Sequence, residues 1–287
     1  MKERLAGLVE GVKRTRIVRL AQAVMGSAGA VGLPLLAMAL AFTTMFAIIP
    51  LLLLLSGVLG FFVADPERQQ EVLAQLVAAV PPLENLFQDQ LGSLVEQRNT
   101  LSIVGFLGLI WGSSNFYAAL DEVMRRFFPG GDMRGFVSRR VRGVVAVTVL
   151  VAVVVGTIAL SGLWAVVQTT LQELGPVLSL LMPLLSMLVM TVVVLIVYRF
   201  VPTAPPPWRA ALPPAVAAGV GIGLLTNLFT VLAPLMVGGL KAFGVIAAVF
   251  AAFIWLNFAY QILLYGAAWA RYRRDSMRLE DRPVVLP

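Results

Sequence analysis

The chain has 287 residues, of which 59% are hydrophobic and only 13% are charged, and its mean hydropathy is +0.90. Soluble globular proteins carry about 25% charged residues, so this composition excludes an ordinary soluble enzyme, a disordered chain and a fibrous protein. The absence of cysteine and histidine excludes disulfides, thiolate metal sites, cysteine nucleophiles and the commonest general base. The net charge of +7 is therefore best interpreted by its position along a membrane protein.

Six apolar blocks long enough to cross a bilayer follow one another along the chain. A span needs roughly 20 mostly apolar residues, and no block has a charged residue in its body. The blocks comprise residues 33–62, 101–120, 143–167, 177–198, 211–235 and 243–270. They predict an all-α, polytopic membrane protein, a single membrane domain over 1–287 whose six transmembrane helices form a bundle over 33–272. Pro50, Pro183 and Pro234 each predict a kink or a boundary.

Basic residues assign an orientation to these spans. Only Arg68, Arg98 and Lys241 of the 22 basic residues fall outside the termini and the loops that follow blocks two and four. This bias predicts that both termini are cytoplasmic, with a basic N-terminal segment over 1–32 and a tail over 273–287. Residues 5–20 predict an interfacial helix on the anionic inner leaflet, or topology-setting charge alone. The candidate inner-face basic residues are Arg125, Arg126, Arg139, Arg140 and Arg199.

The one sizeable external segment covers residues 64–100. Apolar residues recur at helical spacing on both sides of Pro81 and Pro82. This pattern predicts two short amphipathic helices at the outer mouth. Their apolar faces more often pack on the protein than bind a ligand.

Two local patterns concern the later spans. Residues 202–208 read Pro-Thr-Ala-Pro-Pro-Pro-Trp, which predicts a stiff extended connector with Trp208 as an interfacial anchor. Gly219, Gly221 and Gly223 predict the close approach of a neighbouring helix, because small residues let helix backbones come together. No strand precedes these glycines, so they are not a dinucleotide fingerprint.

Uncharged polar residues are the exceptions inside the spans, and function in membrane proteins usually depends on such exceptions. Together with Thr226, the candidate set is Thr43, Thr44, Ser113, Ser114, Asn115, Asn227, Asn257 and Gln261. Thr43, Asn227 and Asn257 fall near mid-membrane. The set either lines a polar cavity or forms hydrogen bonds that hold the helices together, each worth about 0.6 kcal/mol.

Catalysis finds little support in the sequence. There is no nucleophile elbow and no phosphate loop. Asp121 and Glu122 are adjacent and are followed by Arg125 and Arg126, so they predict a charged helix end with i to i+3 and i+4 pairs. We expect no enzyme activity, no metal and no cofactor.

Several short motifs follow one another along the chain. They are Ala-Leu-Ala-Phe-Thr-Thr-Met-Phe-Ala-Ile-Ile-Pro-Leu-Leu at 39–52, Leu-Ile-Trp-Gly-Ser-Ser at 109–114, the connector at 201–213, Phe-Gly-Val at 243–245, Ile-Trp-Leu at 254–256 and Gly-Ala at 266–267. Each motif is loose, but their order and spacing together are fairly specific, and they resemble the YihY/virulence factor BrkB family over about residues 15–272. Phe243, Pro214 and Ala268 depart from the family pattern, which usually has Tyr, Gly and often Glu at these places.

This resemblance implies a bacterial inner-membrane protein with six spans. Family associations with serum resistance and lipid export imply a role in transport or envelope maintenance, whereas the older label ribonuclease BN finds no nuclease constellation here. The leading hypothesis is a transporter, flippase or channel-like protein for a lipid or small polar substrate. Its partners would be membrane lipids, with anionic headgroups suited to the inner-face arginines, and not nucleic acid. The alternative is a non-transporting membrane scaffold or assembly factor.

Overall fold

The structure is a computed structural model that describes residues 16–62, 98–130, 135, 175–239 and 244–280. Over these ranges the chain forms six helices and no strand. The helices are α1 (Arg16–Ala30), α2 (Leu33–Phe62), α3 (Arg98–Phe127), α4 (Gly175–Phe200), α5 (Trp208–Gly239) and α6 (Gly244–Glu280). The protein is a polytopic α-helical membrane protein, as the apolar blocks predict.

Five of the six predicted blocks coincide with described helices. Helix α2 has the predicted bounds, and α4 and α5 extend the fourth and fifth blocks by a few residues. Helix α3 begins at Arg98, inside the predicted external segment, and α6 continues to Glu280, well into the predicted tail. The third block and the predicted external helices of 64–97 lie outside the described residues.

The prolines within the blocks are not helix boundaries. Pro50, Pro183 and Pro234 all lie inside helices α2, α4 and α5. Each proline was predicted to mark a kink or a boundary, and the boundary alternative is wrong for all three, because membrane helices tolerate proline when neighbouring groups satisfy the freed carbonyls.

Length and hydropathy single out two membrane-spanning helices among the described residues, and a third unit if a bent pair of helices counts as one span. The segments Trp208–Leu232 and Val249–Arg278 are each long and apolar enough to cross a membrane. Val18–Ala30 and Leu33–Ile48 reach that length and hydropathy only together, as two helices with a bend of 63° between them. The described part of α1 overlaps the predicted interfacial helix only over residues 16–20, and residues 5–15 lie outside it.

A tight turn produces the bend between α1 and α2. Gly32 has a φ of 67°, in the left-handed region that glycine adopts at least cost. Its N–H donates to the Gly29 carbonyl at 3.1 Å, and its own carbonyl accepts from Leu35 and Leu36. Pro34 follows in the first turn of α2, where a missing N–H costs nothing.

The described helices pack as a row, α4–α5–α6–α2–α3, with α1 also lying on α6. The largest fully buried side chains are Tyr198, Phe127, Phe128, Leu33 and Leu40. Large apolar side chains on the outer faces stay exposed, among them Leu35, Leu188, Leu224 and Phe250. Because the chain is a membrane protein, we assign these faces to the bilayer.

The glycines of α5 bring helices together, as predicted. A Cβ added at Gly219 would lie 2.6 Å from both the Cα and the N of Thr191 in α4. One at Gly223 would lie 2.9 Å from Met187 in the same helix. One at Gly221 would meet Ile262 of α6 at 3.1 Å. At Gly219, therefore, the backbones of α4 and α5 pack directly against each other, with no side chain of α5 between them.

Candidate functional site

One hydroxyl pair joins two helices within the predicted polar set. The Thr44 Oγ1 of α2 lies 2.6 Å from the Tyr260 Oη of α6. Thr44 also donates its single proton to the Leu40 carbonyl at 2.7 Å, so Tyr260 is the donor between the helices. Tyr260 was not among the predicted residues. A tyrosine inside a span is itself a signal, because its hydroxyl requires a partner when buried.

The other described bonds of the polar set stay within single helices. Asn227 donates its Nδ2 to the Gly223 carbonyl at 3.0 Å, and Thr226 donates to the Ile222 carbonyl at 2.9 Å. Thr43 bonds back to the Ala39 and Leu40 carbonyls in the same way. Such back-bonding satisfies a hydroxyl without a partner helix.

Asn257 and Gln261 form an amide pair on α6. The Gln261 Nε2 donates to the Asn257 Oδ1 at 2.6 Å, across one helical turn. Both side chains are half-buried, and they fall on the same helix face as the exposed Ile254, Phe258 and Tyr265. The pair thus lies on the outward, bilayer-facing side of α6. We call Asn257 and Gln261 the amide pair.

The remaining members of the set lie on α3. Asn115 is exposed and Ser114 is half-buried. The side chain of Ser113 lies outside the described residues. The structure thus brings Thr44 to Tyr260 and Asn257 to Gln261, and places Asn227 on the exposed face of α5.

The predicted basic residues that the structure describes form contacts within the protein. Arg125 contacts Glu122 at 2.5 Å and Asp121 at 3.7 Å, and Arg126 contacts Glu122 at 3.6 Å. The predicted i to i+3 and i+4 pairs are therefore present. Arg199 donates to the Pro206 carbonyl at 3.3 Å and stacks over the Trp208 ring at 5.3 Å. Arg139 and Arg140 lie outside the described residues.

Three further arginines at the end of α6 tie the bundle together. Arg271 and Arg273 donate to the carbonyls of Arg126 and Arg209, the ends of α3 and α5. We call this end of the bundle, where Arg125, Arg199, Arg209 and Arg271–Arg274 lie, the basic end. In the sequence these arginines indicate only which side of the membrane the segment lies on, so their contacts with other helices were not predicted.

Arg274 is the most buried of them, with 3% of its surface exposed. It donates to the Ala204 carbonyl at 3.1 Å and to the Asp275 Oδ1 at 3.0 Å, and it stacks over the Phe128 ring at 5.5 Å. The connector needs such donors, because its four prolines have no N–H and build no regular ladder. That requirement is the sequence signal that points to these arginines.

An open apolar groove lies between α1, α5 and α6 near the basic end. Its volume is about 400 Å³, within the roughly 300–1,000 Å³ range of small-molecule clefts. Leu20 and Val24 of α1, Ala217 of α5, and Ile262, Tyr265 and Trp269 of α6 are among its lining residues. We call it the α1/α5/α6 groove.

Metal-binding constellations do not occur in the described part of the chain. No group of three His, Cys, Asp or Glu residues comes together there. The arrangement instead offers apolar surface, amides facing the bilayer and guanidinium groups at one end. This chemistry suits amphipathic molecules.

Comparison with known proteins places the whole bundle in one group. The family model described as "Virulence factor BrkB" matches residues 24–284. A UPF0761 membrane protein of Stenotrophomonas maltophilia (strain K279a) is 25% identical over 259 residues, covering 85% of this chain and 59% of that protein. A UPF0761 membrane protein of Rhodospirillum rubrum is 25% identical over 255 residues, covering 83% and 55%. The chain thus spans less than two thirds of these relatives' length, and no solved structure matches it.

Proposed function

Because the chain belongs to the virulence factor BrkB family of membrane proteins, we propose that it moves a lipid or similar amphipathic molecule between leaflets. The observation that supports this proposal is the amide pair, two polar side chains on a bilayer-facing helix surface. Such a molecule serves the maintenance of the cell envelope. No catalytic chemistry and no cofactor enter the proposal.

The physical argument concerns the headgroup. A polar headgroup crossing the apolar layer loses its hydration, and unpaired polar groups in an apolar medium cost several kcal/mol. The bond between Gln261 Nε2 and Asn257 Oδ1 uses one donor and one acceptor. The Gln261 carbonyl and the Asn257 amino group keep further hydrogen-bonding capacity. A headgroup sliding along α6 would bond to them while its acyl chains stay in the bilayer.

We further propose the orientation that the charges favour. The basic end would face the cytoplasm of a bacterial inner membrane, because basic residues accumulate on the cytoplasmic side. Anionic headgroups of that leaflet would then concentrate beside the exposed Arg19 and Arg209. Substrate would enter the outward face of α6 from this side.

A second candidate, a non-transporting membrane scaffold, rests on different observations. Thr43, Thr226 and Asn227 bond to their own helices, and Gly219 packs directly on the α4 backbone. These contacts favour a tightly packed bundle whose polar residues serve folding. The scaffold would act through its surfaces and carry no flux.

Reconstituted vesicles with a fluorescent phospholipid separate the two candidates. The amide pair is replaced by leucine, N257L/Q261L, and the control is Phe258→Leu on the same exposed face. We expect the double variant to slow lipid exchange between leaflets at least about tenfold, or about 1.4 kcal/mol of barrier, and the control to keep wild-type exchange. Wild-type exchange in the double variant refutes the role of the amide pair. If wild-type protein exchanges lipid between leaflets no faster than protein-free vesicles do, the result favours the scaffold.

A further inference from the structure

The α1/α5/α6 groove has the shape and chemistry of a lipid chain site. Its lining is apolar, and the groove is open and not an enclosed cavity. Ala217 of α5 and Tyr265 of α6 are exposed at its margin. In a membrane, an open apolar crevice between spans is filled by hydrocarbon.

Aromatic residues mark the depth of the groove. Tyr265 and Trp269 line it, and the exposed Trp208 and Tyr272 lie at the same end of α5 and α6. Tryptophan and tyrosine concentrate where acyl chains meet headgroups. The 63° bend between α1 and α2 turns α1 away from the direction of the span. The groove therefore ends at headgroup level.

Cationic side chains stand at that end. Arg19 of α1 is exposed and directly precedes Leu20, which lines the groove. Successive residues of a helix point about 100° apart, so Arg19 adds positive charge at this level without lining the groove itself. On α6, Ile262, Gly266, Trp269 and Arg273 follow one another at spacings of four, three and four, so Arg273 continues the groove-lining face.

Neither arginine is neutralised by a carboxylate in the described part of the chain. The Nη2 of Arg273 donates to the Arg209 carbonyl at 3.1 Å, while its buried Nε has no acceptor among the described atoms. A guanidinium has five N–H donors, so the other groups of Arg273 remain to bind a phosphate. Asp275, the nearby acid, pairs with Arg271 and Arg274.

We propose that the α1/α5/α6 groove holds one acyl chain of an anionic phospholipid, whose phosphate lies at Arg273, with the positive charge of Arg19 at the same level. The charge complementarity of the groove end and its position at headgroup level select this occupant. The inference goes beyond the proposed function, because a resident lipid binds here whether or not the protein moves lipid. Bound lipid, and not flux, is therefore the quantity to measure.

Native mass spectrometry of the full chain in mild detergent tests the groove. Ala217→Trp places a large side chain in the groove, and the control Val216→Trp places it on the exposed neighbouring face of the same helix. We expect Ala217→Trp to lower the fraction of protein carrying phosphatidylglycerol at least about fivefold, or about 1 kcal/mol, and the control to leave it unchanged. Ala217→Leu repeats the test with a smaller side chain if the tryptophan variant does not fold. Wild-type retention in the folded filling variant refutes the site.

The headgroup contact is tested separately. The double variant R19Q/R273Q is compared with Arg278→Gln, an exposed arginine on the last turns of α6. We expect the double variant to lose the preference for phosphatidylglycerol over phosphatidylcholine while still carrying lipid, and the control to keep it. An unchanged preference in the double variant refutes the phosphate contact.

Discussion

Replacing Gly219 with alanine should force two membrane helices apart. The added Cβ would lie 2.6 Å from the Cα and N of Thr191, backbone atoms that cannot rotate away. Ordinary contact begins at 3.4 Å, so α4 has to retreat by 0.8 Å or more. That shift also loosens the neighbouring contact of Gly223 with Met187, which lies on the same two helices.

The magnitude follows from two opposing effects. Overpacking a close contact costs about 1–3 kcal/mol. Alanine in place of glycine inside a helix returns about 0.5–1 kcal/mol. The two ranges leave a net loss of about 0–2.5 kcal/mol, centred on about 1 kcal/mol, of the free energy of unfolding. At about 2–4 °C per kcal/mol for a chain of this size, the central expectation is a fall in Tm of about 2–4 °C.

Three glycines make a graded series for the measurement, which is scanning fluorimetry of the intrinsic tryptophans in detergent. Nothing lies within 4 Å of a Cβ added at Gly26 in α1, so Gly26→Ala should leave the Tm unchanged or slightly raised. Gly221→Ala meets only the Ile262 side chain at 3.1 Å, which can rotate, so its loss should be intermediate. Equal Tm values for Gly219→Ala and Gly26→Ala would refute the reasoning.

Two further contacts give predictions of their own. Tyr260→Phe removes the donor to Thr44 and should lower stability by about 0.6 kcal/mol, the average for such bonds in membranes; a double-mutant cycle with Thr44→Val measures the coupling, and additive effects would contradict the bond. Arg274→Met leaves the Ala204 carbonyl without its donor and should increase protease cleavage in the connector at 202–207 several-fold. Arg278→Met, on the exposed side of α6, is the control, and equal cleavage in both variants would contradict the role of Arg274.

The sequence predicts the helices well, because an apolar run of membrane length leaves few alternatives. The bounds of α2 and the close approach at Gly219 follow from residue type alone. Residue type does not say which way a polar side chain faces, since this depends on the neighbours of its helix. Asn257 and Gln261 were therefore predicted as polar exceptions, but their position on an outward face required the packing of α6.

The contacts at the basic end also could not be predicted from residue type alone. A run of arginines after a span is equally compatible with sidedness and with structural bonds. Which of the two applies to Arg274 depends on a carbonyl 70 positions earlier in the chain. The bend at Gly32 is different, because glycine followed by Leu-Pro is a local signal for a helix end and a new start.

The arginine contacts at the basic end have a mechanical consequence. The hydrogen bonds of Arg271, Arg273 and Arg274 connect α6 to the end of α3, the start of α5 and the connector between α4 and α5. Helices that are joined at one end can separate more with increasing distance from that end. An opening between the described helices that keeps these three contacts would therefore be smallest at the basic end and would grow with distance from it.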